Sequence, residues 1–553
     1  MSQYAIGLDY GTLSVRALLI DIHSGEEIAT SVYEYPHAVM ETEIPTGKKL
    51  PINWALQDPQ DYIDGLITTV HDVIQGIDVD NIIGIGVDFT SSTILPVKAD
   101  KTPLCQLDEF KNEPHAYVKL WKHHAAQEEA ELIDKVASER HEKWHSLYGS
   151  KVSSEWLMPK ILETIHHAPH VYDAADRFME LQDWIVWKLT DVESRSACGA
   201  GYKGLYHHEM KYPSKEFFKT LDPKMENVIE EKIEAPIKAI GETAGYLTED
   251  MANLLGLKTG TAVGVGIIDA HSAMIGSGVA KPGELMIIVG TSSCHMLLSE
   301  KEAGIQGVSG IVKDGIIPGY FAYEAGQCCV GDHFAWLTKN SISKEYLEEA
   351  KEKGISIHEL LTEKLKNYQP GQSGLLALDW FNGVRSPLMD SNLNGLIIGM
   401  NLQTKPEDIY MALIEATAFG TRMIVESFEN AGVPVHSIVL GGGIPIKNKM
   451  LVQVYADICN REIRISSSSQ SSALGAAILG IAAADESKTG YKNMIEIVDC
   501  IGHTDEKVYV PQSKNLKVYN ELYEEYKKLH NYFGLGQNNV MKKLNHLRNL
   551  GKL

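Results

Sequence analysis

The chain has 553 residues, 44% hydrophobic and 22% charged, an ordinary globular balance that excludes a disordered protein. That length is enough for two substantial domains. A formal charge of −22 argues against nucleic acid or an anionic membrane as the main partner. The cysteines Cys105, Cys198, Cys294, Cys328, Cys329, Cys459 and Cys500 show no C-x-x-C spacing, so they point to neither a disulfide framework nor a structural zinc site.

Short apolar runs ending in turn residues alternate with longer helical patterns, which predicts an α/β fold. The chain passes almost directly from Met1 into the first strand, with no basic region or cleavage site. The expected location is therefore cytoplasmic. Residues 4–9 read as a strand, 11–14 as a tight turn and 15–21 as a returning strand. Pro59, Gln60 and Asp61 then open a helix that leads to a strand over 82–88. Residues 105–257 are rich in His, Trp and Lys and read as an insertion that elaborates this half. Much later the same order returns. A strand over 284–289, a turn over 290–293 and a strand over 294–299 are followed by a helix over 409–431, opened at Pro406, and a strand over 437–440. Two homologous halves, 1–275 and 276–553, account for this repetition. The apolar run 473–484 is too short to cross a bilayer, which needs about 20 residues. The Lys- and Asn-rich residues 534–553 read as a surface helix or a frayed tail.

The turns carry the chemistry. A phosphate cradle needs backbone N–H groups facing a concavity, hydroxyl donors, and glycine where the chain comes close. Gly11 permits the first turn, Thr12 and Ser14 offer hydroxyls, and Arg16 adds positive charge. Asp9, at the strand end, is the candidate to hold a magnesium ion through water. A strand follows, so the segment is neither a Walker loop nor a dinucleotide fingerprint. Alone it reads more readily as an ordinary hairpin with a decorated turn. The matching turn with Thr291 and Ser292 supplies a second cradle, and Gly441, Gly442 and Gly443 let backbone approach a flat base. Together they predict a nucleotide site. Transfer of a phosphoryl group to a hydroxyl also needs a carboxylate to take the proton, and Asp269, closing an apolar strand, is the candidate. Its competing role is a helix N-cap.

The segments DYGT at 9–12, GTSS at 290–293 and LGGG at 440–443, in this order, resemble the FGGY carbohydrate kinases. Residues 395–415 are similar to that family's C-terminal signature. The resemblance covers nearly the whole chain and implies two actin-like (ribonuclease H-like) ATPase domains with a cleft and hinge between them. It implies ATP as co-substrate with magnesium, and Asp269 as the base. By the same likeness Gly331 lines the nucleotide pocket, and Lys447 or Asn448 lies near the adenosine. Within the family, residues 86–91, 119–124, 200–203 and 323–327 are most similar to members that phosphorylate L-ribulose in L-arabinose catabolism. That likeness implies Ser91, Trp121, Lys203 and Glu324 as sugar contacts beside Asp269. Trp121 would offer an apolar face, Lys203 a donor and Glu324 an acceptor. His123 and His124 lack a third ligand at metal spacing and read as structural. A homodimer is the expected assembly. The competing readings are a kinase for ribitol, xylulose or another polyol, and an actin-like ATPase coupled to a protein partner.

Overall fold

The computed structural model describes residues 2–505 and 507–550. Two large sheets dominate it. In the first, the strands run in the order Glu27–Glu34, Ser14–Asp21, Tyr4–Tyr10, Ile82–Phe89, Ala262–Gly264 and Thr243–Tyr246, with Ile267–Ile268 also paired to Ile82–Phe89. In the second the order is Gly310–Lys313, Phe321–Gln327, Ser293–Ser299, Glu284–Val289, Ser437–Gly441 and Glu462–Ile465. Without the edge strands Thr243–Tyr246 and Gly310–Lys313, the same unit remains in each. A hairpin and a third strand lie on one side, and parallel strands lie on the other. The helices Pro59–Val73 and Pro406–Asn430 occupy equivalent places in the two units. Both start with proline, where the absent N–H is not needed by the helix.

The returning strands begin one residue earlier than the sequence pattern indicates, at Ser14 and Ser293, because the backbone of each serine is already paired, Ser14 with Glu34 and Ser293 with Val289 and Gln327. Ile82–Phe89 is buried at every position, as expected for a parallel strand covered on both faces. Much of the expected insertion 105–257 forms a separate hydrophobic core, but its segments 181–202 and 240–257 pack into the core of the first sheet instead. Its small sheet also draws in Leu56–Gln57 and Ile94–Val97, which precede the expected insertion.

The apolar run of the sequence forms the helix Ser471–Ala483, and this helix lies on the first sheet. A Cβ added at Gly86 would stand 1.8 Å from the Ala476 carbonyl oxygen, and one at Gly7 would stand 1.9 Å from that of Ala473. The same helix also meets Asp269–Gly276 at glycines, since a Cβ on Gly475 would stand 1.9 Å from the Ser272 oxygen. Backbone packs on backbone here, so the helix fixes the strand ends that carry the site. The C-terminal segment includes the helix Val540–Leu550, and residues 551–553 of the expected tail lie outside the described residues.

Candidate active site

The first turn is closed by Gly11 N–H donating to the Ser14 carbonyl at 2.9 Å. Leu13, at its tip, is exposed, while Gly11, Thr12, Ser14 and Arg16 are half-buried. The Thr12 hydroxyl oxygen accepts from Trp121 Nε1 at 3.1 Å, and its carbonyl accepts from Gln57 Nε2 at 2.8 Å. Trp121 thus ties a predicted sugar contact to the first loop and leaves the Thr12 proton free to donate. Arg16 stands opposite Asp9 in the hairpin register.

The second turn repeats the closure, with Gly290 N–H donating to the Ser292 carbonyl at 2.9 Å. Gly331 opens the helix Gly331–Asn340 and donates to the Gly290 carbonyl at 2.9 Å, while Val330 and Asp332 donate to the Thr291 carbonyl at 2.8 and 3.3 Å. Gly331 has no room for a side chain, since a Cβ there would stand 2.6 Å from the Gly290 oxygen. In the third loop Gly442 has φ +92°, and a Cβ on it would lie 2.4 Å from the Val289 oxygen. Gly443 has open space where its Cβ would be. The second loop, Gly331 and Gly442 are therefore one packed assembly. Lys447 is set apart from it, exposed at the end of the helix Gly443–Lys447 and close to Glu359. Asn448 is spent on structure, its side chain accepting from Leu451 N–H at 3.1 Å.

Asp269 is the first residue of the helix Asp269–Gly276, whose N-cap is Ile268 without a side-chain cap bond. Among the described residues its carboxylate accepts only from the adjacent Ala270 N–H, at 2.7 Å, so it does not serve as the expected N-cap. Burial, with the Asp9 carboxylate beside it, pushes its pKa up to about 7. Burial also raises Asp9, opposed by contact with Asp88 and by the Arg16 charge. Asp88 is a third carboxylate in this neighbourhood that motif reading passes over. It is paired in register with Asp9 and wholly buried, and neither of its oxygens has a partner in hydrogen-bonding geometry. Burial first, then Asp9 and Asp269, raises its pKa well above the ordinary carboxylate value. A signal was present: Gly7-Leu8-Asp9-Tyr10 and Gly86-Val87-Asp88-Phe89 are the same pattern at equivalent strand ends.

Lys203 Nζ lies 3.1 and 3.2 Å from the two Glu324 carboxylate oxygens, and both side chains are buried. His271 Nε2 approaches Glu324 Oε2 at 3.3 Å, and its ring stacks on Tyr202 at 4.4 Å. Burial alone would raise Glu324, but Lys203 and His271 hold it well below the carboxylate range. The Lys203 charge reciprocally gains from Glu324 more than burial costs it, and its pKa is raised. Ser91 is half-buried, its hydroxyl 3.2 Å from that of Ser92. The backbone there is fixed by Lys160 Nζ, which donates to the Ser92 carbonyl at 2.6 Å.

His123 is buried between Glu163, at 3.1 Å, and the Ala55 N–H, at 3.3 Å. Among the described residues, His207, His208 and Glu302 have ligand spacing for a metal. His207 Nδ1 accepts from Glu209 and Met210 N–H, so its proton is on Nε2 and donates to Glu302 at 2.8 Å. A cation would have to displace that proton, and the group is accounted for by hydrogen bonding.

The doubled five-stranded unit, with glycine turns and carboxylates at its strand ends, defines a protein of the actin-like ATPase class. Models of the FGGY family of carbohydrate kinases match the chain twice, the N-terminal domain over residues 4–276 and the C-terminal domain over 285–484, and the chain belongs to this family. It is 50% identical over 544 residues to a ribulokinase of Bacillus licheniformis, covering 98% of each chain. It is 49% identical over 547 residues to a ribulokinase of Geobacillus thermodenitrificans, covering 98% of this chain and 97% of the other. The fold matches the crystal structure of a xylulose kinase from Rhodospirillum rubrum with a TM-score of 0.77, at 18% identity over 96% of this chain and 98% of that one. No helix among the described residues is long and apolar enough to cross a membrane.

Proposed function

We propose that the chain transfers the γ-phosphoryl group of ATP to the terminal hydroxyl of L-ribulose, giving L-ribulose 5-phosphate and ADP. The observation that carries this is the 50% identity to a ribulokinase over 98% of both chains. In this reading the chain divides near residue 276, and the two halves close on the substrates.

Asp269 accepts the hydroxyl proton. A carboxylate with a pKa near 7 is matched to proton transfer at neutral pH. Lys203 and Glu324 bind the sugar hydroxyls as donor and acceptor, and their mutual contact holds both rotamers ready before the sugar arrives. Trp121 lays its ring against sugar C–H groups while its N–H fixes Thr12. Ser91 contributes mainly its braced backbone. Gly11, Thr12, Ser14 and Arg16 from one half, and Thr291, Ser292 and Gly331 from the other, hold the phosphates. Gly442 and Gly443 pass under the adenosine, with Lys447 at the rim.

Asp9, at a strand end with the Asp269 carboxylate nearby, suits a magnesium ion that keeps most of its waters. Asp9 would hold that ion through water, and the ion would neutralise charge on the phosphates. Closure of the two halves excludes water, which would otherwise compete for the phosphoryl group. The test is 31P NMR of a mixture of the protein, ATP, magnesium and L-ribulose. ADP and a new phosphomonoester should grow together. ADP growing with inorganic phosphate instead would remove the sugar from the reaction.

A further inference from the structure

Two of the sugar contacts assigned above, Ser91 and Trp121, come from separate loops, and one buried side chain joins those loops. Lys160 lies in the first turns of the helix Leu157–His167, with an exposure of 1%. Its ammonium donates to the Ser92 carbonyl at 2.6 Å, next to Ser91, and to the Leu120 carbonyl at 2.8 Å, next to Trp121. The third proton goes to the Lys119 carbonyl at 3.3 Å. Lys119 returns the contact, its Nζ donating to the Lys160 carbonyl at 3.2 Å and to Glu163 at 2.7 Å. All three Lys160 protons are thus spent on backbone, through bonds that its charge strengthens. A methionine would fill the same space without the cost of burying a charge.

The backbone at Ser92 shows what that charge is for. Ser92 is buried and has φ +55°, a left-handed conformation that a residue with a side chain keeps only where its surroundings impose it. The bond from Lys160 to its carbonyl holds this conformation, just where the chain leaves the strand Ile82–Phe89 and turns at Ser91. We propose that Lys160 is a positioning residue for sugar recognition, holding the Ser91 and Trp121 loops at a fixed spacing that decides which polyol is accepted. The inference rests on the kinase reading of the site and extends it to a residue that itself touches no substrate. Positioning of this kind is steep, because a displacement of about 1 Å at a substrate contact costs on the order of 100-fold in rate.

The experiment measures initial rates with L-ribulose and with ribitol, at saturating ATP, for full-length wild type, Lys160→Met and Lys232→Met. Lys232 is the matched control, a buried lysine that donates at 2.6 Å to the carbonyl of Ala175, which belongs to neither loop. The ratio of kcat/KM between the two sugars decides, because any loss of folded protein cancels in it. Lys160→Met should lose about 10- to 100-fold in kcat/KM for the preferred sugar, and its ratio should shrink. Lys232→Met should keep the wild-type ratio whatever happens to its melting temperature. An unchanged ratio in Lys160→Met, with only the melting temperature or the yield of active protein lowered, makes Lys160 structural and overturns the proposal. A ratio that shrinks equally in Lys232→Met overturns it too, since general loosening would then suffice. Wild-type ADP formation indifferent to either sugar is a different failure, which removes the kinase reading before any variant is compared and the proposal with it. Lys160→Gln serves the same comparison should the methionine variant fail to fold.

Discussion

Lys203 and Glu324 stand 121 residues apart in sequence, on opposite halves of the chain, and their side chains meet at 3.1 and 3.2 Å in a buried ion pair. Removing one partner strands the other as a buried charge, at a cost of about 3–5 kcal/mol. Lys203→Met should therefore lower stability by that order, and Glu324→Gln added to it should restore part of the loss. A double-mutant cycle in urea reads the coupling directly. Strictly additive effects would mean that the pair does not hold the halves together.

Asp269→Asn keeps the size and hydrogen-bonding reach of the side chain but cannot take a proton. Turnover should fall about 100- to 10,000-fold, with sugar affinity by calorimetry little changed. In the wild type the base must be ionised, so kcat/KM for the sugar should rise with pH through about 7 and then level. A flat profile, or wild-type turnover in the asparagine variant, would remove Asp269 from the proton transfer.

The same residue makes a prediction about stability. Its folded pKa of about 7 lies above the unfolded value, so the folded protein favours its protonated form. That contribution is fully present below about pH 4 and is lost as pH rises through about 7. Asp269→Asn is free of this loss. Its melting temperature relative to wild type should climb between about pH 5 and about pH 8. A constant difference across that range would contradict the raised pKa.

Gly442 and Gly443 are neighbours with opposite demands. Gly442→Ala puts a Cβ 2.4 Å from a backbone oxygen at φ +92° and should destabilise by about 1–3 kcal/mol. Gly443→Ala meets nothing in the free protein and should leave the melting temperature unchanged, while weakening ATP binding, since the added methyl would enter the space proposed for the adenosine. Thermal scans with and without ATP separate the two.

Much of this was legible in the sequence because turns and strand ends are local. The boundaries of Glu284–Val289 and the helix opened at Pro59 follow from apolar runs and from proline at a helix start. Asp269 stood out because an acidic residue closes an apolar strand, and it does stand at the junction of Ile267–Ile268 with the helix Asp269–Gly276. What stayed hidden depends on distance in space. The sequence could not show that Ser471–Ala483 leaves its own half to lie on the glycines of the first sheet. Nor could it show that His271 stands between Tyr202 and Glu324, since neither is near it along the chain. Asp88 was hidden for another reason. Its pattern, shared with Asp9, was visible in the sequence, but its complete burial beside Asp9 is seen only in the packed structure.

The central claim is the choice of L-ribulose as phosphoryl acceptor, and initial rates of ADP formation test it most directly. The panel is L-ribulose, D-ribulose, ribitol, D-xylulose, glycerol and no sugar, each at saturating ATP and magnesium. The account predicts the highest kcat/KM with L-ribulose and little ADP without sugar. A clear preference for another polyol would keep the kinase but contradict the roles given to Trp121, Lys203 and Glu324, and ADP formation indifferent to sugar would contradict the kinase itself.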